Sequence, residues 1–153
     1  MEQDETVPVT GRLFPIRPFA GASIAVFRGS RVLLARRAKG AGAGLLSLPG
    51  GVIELGESAE ATALRELREE VAVEAEILGL AGHINVIEHD QSRVRHHYVV
   101  LTFAGRWISG EGEESDEASE IVWADISALG GLNLSKGLPP LLRTAYAMAK
   151  AAT

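Results

Sequence analysis

Three glutamates, Glu66, Glu69 and Glu70, stand at i, i+3 and i+4 in a stretch rich in helix formers that runs from Ser58 to about Val71. At about 100° per residue with Leu64 as zero, Glu66 falls at about 200°, Glu69 at about 140° and Glu70 at about 240°. The three carboxylates are therefore neighbours on one helix face. Leu67 and Val71, at about 300° and about 340°, form an apolar stripe with Leu64, which predicts that the carboxylates face away from the core. Like charges at this spacing repel by roughly 0.2–0.5 kcal/mol per pair, and Arg65 and Arg68 on the flank relieve part of that. Such a run is ordinarily a solvated helix face. Its surroundings suit another use. Hard divalent cations such as Mg²⁺ take oxygen ligands and bind through a few carboxylates plus substrate phosphates. Just upstream, Leu48-Pro49-Gly50-Gly51 offers backbone that can approach an ion or a phosphate closely, because glycine has no Cβ. Glu57 stands at the helix start, where a carboxylate suits the dipole.

These residues need a scaffold. Ser58 reads as the N-cap of the carboxylate helix. Upstream, residues 20–35 read as a hairpin around the turn Arg28-Gly29-Ser30. Lys39-Gly40-Ala41-Gly42-Ala43-Gly44 reads as a loop. Further strands are predicted at 76–79, 83–88, 97–104 and 120–123, the second and third flanking the polar turn Asp90-Gln91-Ser92-Arg93. Residues 109–118 form an acidic, glycine-containing loop. Pro139-Pro140 opens a last helix, Leu141 to about Ala151. Strands bracketing one central helix, with a second helix at the end, predict an α/β sandwich around a mixed sheet. Residues 1–17, with an acidic start and two prolines, read as an N-terminal arm, and 18–153 as a single domain.

Composition narrows the chemistry. The 153 residues suit one domain, and at 46% hydrophobic they can bury a core. There is no cysteine, which excludes disulfides, a thiolate zinc site and a cysteine nucleophile. The net charge of −5 argues against a non-specific nucleic-acid partner. An acidic protein that handles phosphates needs a metal or locally placed Arg and Lys. The acidic start is no secretory signal. No apolar run approaches the roughly 18–20 residues that span a bilayer, so the expectation is a cytoplasmic protein without a membrane partner.

The segment Gly51-x5-Glu57-x7-Arg65-Glu66-Leu67-x-Glu69-Glu70 resembles the Nudix box, GX5EX7REUXEEXGU with U aliphatic, the signature of the Nudix hydrolases. Leu67 and Val73 fill both aliphatic positions, and Leu48-Pro49-Gly50 extends the likeness. One position departs: Ala72 replaces the final glycine, where a left-handed backbone is often wanted after the helix. The resemblance implies an α/β/α sandwich and hydrolysis of a nucleoside diphosphate linked to another group. Carried over by position, it implies that Glu66, Glu69 and Glu70 hold Mg²⁺ or Mn²⁺ with the Gly50 carbonyl. Arg65 would orient a glutamate, and Glu57 would support the site or bind a further metal. A base can come from the box or from a distant loop, where Glu113, Glu114 and Glu117 are candidates and Glu117 is preferred. Arg36, Arg37 and Gly51 are candidate phosphate contacts, with surface solubility the alternative for the two arginines.

Other residues invite weaker readings. His83, His89, His96 and His97 are read as strand or turn residues, since His96 and His97 face opposite sides of a strand. Trp107 and Trp123 are read as packing residues. The group beyond the diphosphate is less legible. No proline occurs from Gly50 to Lys136, so the proline marker of many ADP-ribose pyrophosphatases is missing, as is the SQPWPFPxS array of NADH pyrophosphatases. The layout still resembles compact ADP-ribose pyrophosphatase-like proteins, through Arg17-Pro18-Phe19, His97-Tyr98-Val99 and Asp116-Glu117 ahead of Trp123. The leading expectation is a nucleoside diphosphate sugar such as ADP-ribose. The alternatives are a (d)NTP pyrophosphatase and a nucleotide-binding domain without catalysis. By analogy alone, the arm could join two copies into a homodimer.

Overall fold

The computed structural model describes residues 11–152, so the first part of the expected arm lies outside the described residues. Seven strands and two helices follow in the order β1 (Phe19–Arg28), β2 (Arg31–Arg37), β3 (Leu46–Ser47), β4 (Gly50–Val52), α1 (Ala59–Val71), β5 (Glu74–Asp90), β6 (Arg93–Ser109), β7 (Ala118–Asp125) and α2 (Leu138–Ala151). The sheet is mixed. β1 runs parallel to β6, and its other neighbours are antiparallel. β1 and β2 pair directly only through Phe27↔Val32 and Arg28↔Arg31. Further along, β4 takes the edge of β1 at Gly21–Ser23 and β3 takes the edge of β2 at Ala35–Arg36. The short β3–β4 pair thus fills the gap between β1 and β2 and carries Gly50-Gly51 to the middle of the sheet.

Alternation along β1 sends side chains to two layers. Ala22, Ile24 and Val26 pack with Leu67 and Val71 of α1 and Phe103 of β6. Ala25 and Phe27 pack with Leu138, Leu142 and Ala145 of α2 on the opposite face. One helix on each face is the predicted α/β/α sandwich.

Two departures from the sequence reading concern β5 and the last helix. The strands expected at 76–79 and 83–88 are one strand, β5, kinked by register shifts between Ile77 and Gly79 and between Leu80 and Gly82. The glycines between them mark close packing rather than a turn. A Cβ on Gly79 would lie 2.9 Å from Met148 Cε, and one on Gly82 2.7 Å from Leu141 Cδ1, both on α2. The last helix also begins earlier, at Leu138, with both prolines in its first turn.

α1 ends as its motif suggested. Ser58 Oγ accepts from the Ala61 N–H at 3.0 Å. At the other end Ala72 adopts φ 59° and ψ 43°, its N–H donating to the Arg68 carbonyl at 3.1 Å. An L-residue pays roughly 1–2 kcal/mol for that conformation. Alanine here fills the glycine's structural role under strain.

Candidate active site

α1 and β4 build the site between them. A Cβ on Gly51 would lie 2.2 Å from Glu66 Oε2 and 2.5 Å from Glu66 Cδ, so the bare glycine backbone is what lets that carboxylate lie flat against the strand. Gly50 donates its N–H to Glu70 Oε1 at 3.4 Å. β4 therefore covers one flank of the carboxylate face. This corrects the expectation of a solvated row: Glu70 is 9% exposed, and the Glu66 side chain 15%, whereas Glu69 remains 60% exposed. Helical periodicity placed the three side by side but could not show that a strand lies across two of them.

Arg65 ties the cluster together. Its Nε donates to Glu57 Oε2 at 2.6 Å and its Nη2 to Glu57 Oε1 at 3.0 Å, a bidentate pair. Its Nη1 reaches Glu66 Oε1 and Glu69 Oε1, each at 3.1 Å. Glu57 also accepts from Thr62 Oγ1 at 2.6 Å and from the Glu54 N–H at 3.1 Å. With four donors on its two oxygens, Glu57 is engaged as the anchor of Arg65. Those bonds to Arg65 and Thr62 hold its carboxyl down at about 2, against an ordinary 4.5. Thr62 was missed in the sequence. On the helical wheel it falls at about 160°, on the carboxylate face, so nothing in the spacing signalled that it is fully enclosed.

The buried carboxylates behave oppositely. Burial pushes Glu70 up to about 8, and the charges of Glu66 and Glu117 push it further in the same direction, against the Gly50 N–H and Arg37. Burial likewise raises Glu66, with Glu69 and Glu117 adding to the rise and Arg65 opposing it. The site thus concentrates more negative charge than Arg65 and Arg37 offset. An all-oxygen set in partly dry surroundings is the environment that a hard divalent cation relieves. The residues fit such an ion. Among the described residues, no three acidic or histidine side chains are already set around one point. The exposed Glu69 is turned to Arg65 instead.

The other candidates divide. Glu117, far away in sequence, lies close enough to act electrostatically on both Glu66 and Glu70. It stands just before β7, and its carbonyl accepts from the Ala38 N–H at 3.0 Å. Alternation along β2 puts Arg36 on the α2 face with Leu34; a register shift follows, and Arg37 acts electrostatically on Glu70. Arg37 faces the carboxylates, its Nε held by the Ala41 carbonyl at 2.9 Å. Arg36 is on the far side, paired with Glu120 at 2.7 Å and with the Gly44 carbonyl at 2.8 Å. The histidines lie on the β5–β6 hairpin, outside this cluster. Both tryptophans pack against the core layer under α1, in keeping with a packing role.

Comparison with known proteins agrees with this geometry. The family model described as NUDIX domain matches residues 17–145. The chain is 27% identical over 114 residues to the ADP-ribose pyrophosphatase of Methanocaldococcus jannaschii, covering 74% of this chain and 66% of that protein. It is 34% identical over 116 residues to the NAD-capped RNA hydrolase NudC of Pseudomonas aeruginosa, covering 75% of this chain but 39% of that one. The crystal structure of the MutT NUDIX hydrolase from Burkholderia pseudomallei superposes with a TM-score of 0.73 at 26% identity, over 84% of this chain and 98% of that chain. With the family model spanning most of the sequence, and a box whose glutamates, arginine and glycines meet at one place in the fold, the chain belongs to the Nudix hydrolase family.

Proposed function

We propose that the protein hydrolyses a diphosphate bond in a nucleoside diphosphate linked to another moiety, with Mg²⁺ or Mn²⁺ as cofactor. The observation that carries this reading is the burial of Glu66 and Glu70 beside Gly50-Gly51, with Arg65 locked to Glu57 and Glu117 brought in from another loop. Glu66, Glu69 and Glu70 would hold the cation, together with the Gly50 carbonyl. A divalent ion there would supply charge neutralisation of the diphosphate and acidification of a bound water. The chain's own residues do the rest. Glu57 fixes the Arg65 guanidinium, which sets the carboxylates of Glu66 and Glu69. Gly51 keeps the strand thin enough for Glu66 to reach the site. Arg37 contributes positive charge where a phosphate arrives, and Glu117 accepts the proton of the attacking water.

ADP-ribose or a related nucleoside diphosphate sugar is the leading substrate. Both relatives named above carry names that denote an ADP moiety joined through a diphosphate. A (d)NTP is the second reading, favoured by the MutT name of the superposing structure. Among the described residues no helix is long and apolar enough to cross a membrane. The test is a nucleotide panel with Mg²⁺ or Mn²⁺, run beside Glu69→Gln and Glu70→Gln. Turnover of ADP-ribose, lost in both variants, is expected. Nucleotide-induced stabilisation without product release would replace the enzyme by a binding domain, and full activity in both variants would end the catalytic reading.

A further inference from the structure

At the end of the sheet remote from β4, three strands bring one arginine between two indoles. Arg28 closes β1, and its guanidinium lies 3.8 Å over the Trp107 ring of β6 and 5.6 Å from the Trp123 ring of β7. Its Nη1 donates to Glu111 Oε1 at 2.8 Å. Both indoles also hold the loop that contains Glu111. Trp107 Nε1 donates to the Gly110 carbonyl at 2.7 Å, and Trp123 Nε1 to the Glu111 carbonyl at 2.9 Å. The next turn is bound to α1, the Glu113 N–H donating to the Val71 carbonyl at 2.8 Å. The loop continues to Glu117. An exposed ion pair between Arg28 and Glu111 would by itself do little. Here the cation is also stacked on an aromatic face, which fixes its direction.

We propose that Arg28 is a positioning residue: held between Trp107 and Trp123 and bonded to Glu111, it fixes loop 110–117 and thereby sets Glu117 beside the carboxylate cluster. The proposal rests on the reading of Glu117 as proton acceptor, and it makes the loop a fixed strut rather than a closing flap. A group held in place before reaction keeps the rate that a displaced one loses, with about 1 Å of misplacement able to cost about a hundredfold.

The chain has two tryptophans and both line this clamp, so tryptophan fluorescence, excited selectively over the two tyrosines, reports on it alone. Wild type, Arg28→Met, Arg28→Lys and Glu111→Gln are compared by acrylamide quenching and by hydrogen exchange at the Glu113 amide. Both rise in Arg28→Met, rise less in Glu111→Gln, and return toward wild type in Arg28→Lys. In turnover of ADP-ribose with Mg²⁺, Arg28→Met lowers kcat by about tenfold with little change in KM, and adds nothing in a Glu117→Gln background. Exchange and quenching unchanged in Arg28→Met would overturn the clamp, and additive losses in the double variant would overturn the route through Glu117. If wild type turns over no nucleotide, the functional reading falls alone, since exchange and quenching still decide whether Arg28 orders the loop.

Discussion

Two adjacent glycines should fail in different ways when given a methyl group. A Cβ on Gly51 would meet Glu66 Oε2 at 2.2 Å and Glu66 Oε1 at 2.9 Å, both at the free end of a flexible side chain. Ordinary contact is about 3.5 Å, so the carboxylate must retreat by more than about 1 Å. The fold can accommodate that, because alanine is the better strand residue by roughly 0.5–1 kcal/mol of backbone entropy. The site cannot. Glu66 leaves Arg65, which it now meets at 3.1 Å, and a displacement of that size costs about a hundredfold in rate, or about 2.7 kcal/mol on the barrier. A Cβ on Gly50 would instead meet the Ala22 carbonyl oxygen at 2.5 Å and Ser23 Cα at 2.8 Å. Those are backbone atoms of β1 and can move only if β4 moves too, at roughly 1–3 kcal/mol or more. Calorimetry and steady-state turnover separate the two. Gly51→Ala keeps the melting temperature and loses activity, whereas Gly50→Ala melts lower by about 2–4 °C for each kcal/mol lost. A Gly51→Ala protein with wild-type kcat and metal dependence would refute the claim that β4 sets Glu66.

Ala72→Gly should stabilise the protein. Relief of the left-handed strain returns roughly 1–2 kcal/mol, less roughly 0.4–1 kcal/mol for the freer unfolded chain, so the midpoint rises by up to about 6 °C in a melt, and a fall would show that Ala72 is unstrained. The pH dependence has two limbs of opposite sign. Glu70, raised to about 8, binds its proton more tightly folded than unfolded; its contribution is complete below the ordinary 4.5 and fades as pH climbs toward 8. Glu57, lowered to about 2, contributes above 4.5 and fades as pH falls toward 2. In EDTA the melting temperature should therefore decline on both sides. Because ligand carboxylates must be deprotonated, Mg²⁺ should restore more stability at about pH 8 than at about pH 6, and an equal effect at both would contradict the assignment of Glu70.

What could be read from the sequence was what depends on near neighbours. The helix start at Ser58, the Leu67–Val71 stripe and the adjacency of Glu66, Glu69 and Glu70 all follow from spacing of a few residues, whereas the left-handed backbone at Ala72 was suggested only by the box glycine it replaces. The β1–β2 turn is of the same kind. What escaped depends on partners far along the chain. The parallel pairing of Phe19–Phe27 with Tyr98–Arg106 is non-local and left no periodic trace. The strand was expected to break between 79 and 83 because the helix that needs the missing side chains of Gly79 and Gly82 lies about sixty residues further on, a separation no local rule detects.

The least legible fact was also the most consequential for chemistry. Periodicity orients a residue relative to its own helix, so it ranked Glu70 with the solvent-facing residues. Burial is decided by what crosses that helix, and here it is a strand of two glycines and a valine, whose lack of bulk admits the Glu66 and Glu70 carboxylates. The pairing of Gly50-Gly51 with Glu66 and Glu70 is therefore one device seen from two sides. The strand dehydrates two carboxylates enough to raise their proton affinity, while Arg65, pinned by Glu57, which Thr62 also holds, fixes the Glu66 carboxylate. A like-charged, half-dry pair of this kind is unfavourable for folding on its own. That cost is the counterpart of affinity for a cation, since what burial takes from the empty carboxylates a divalent ion returns on binding.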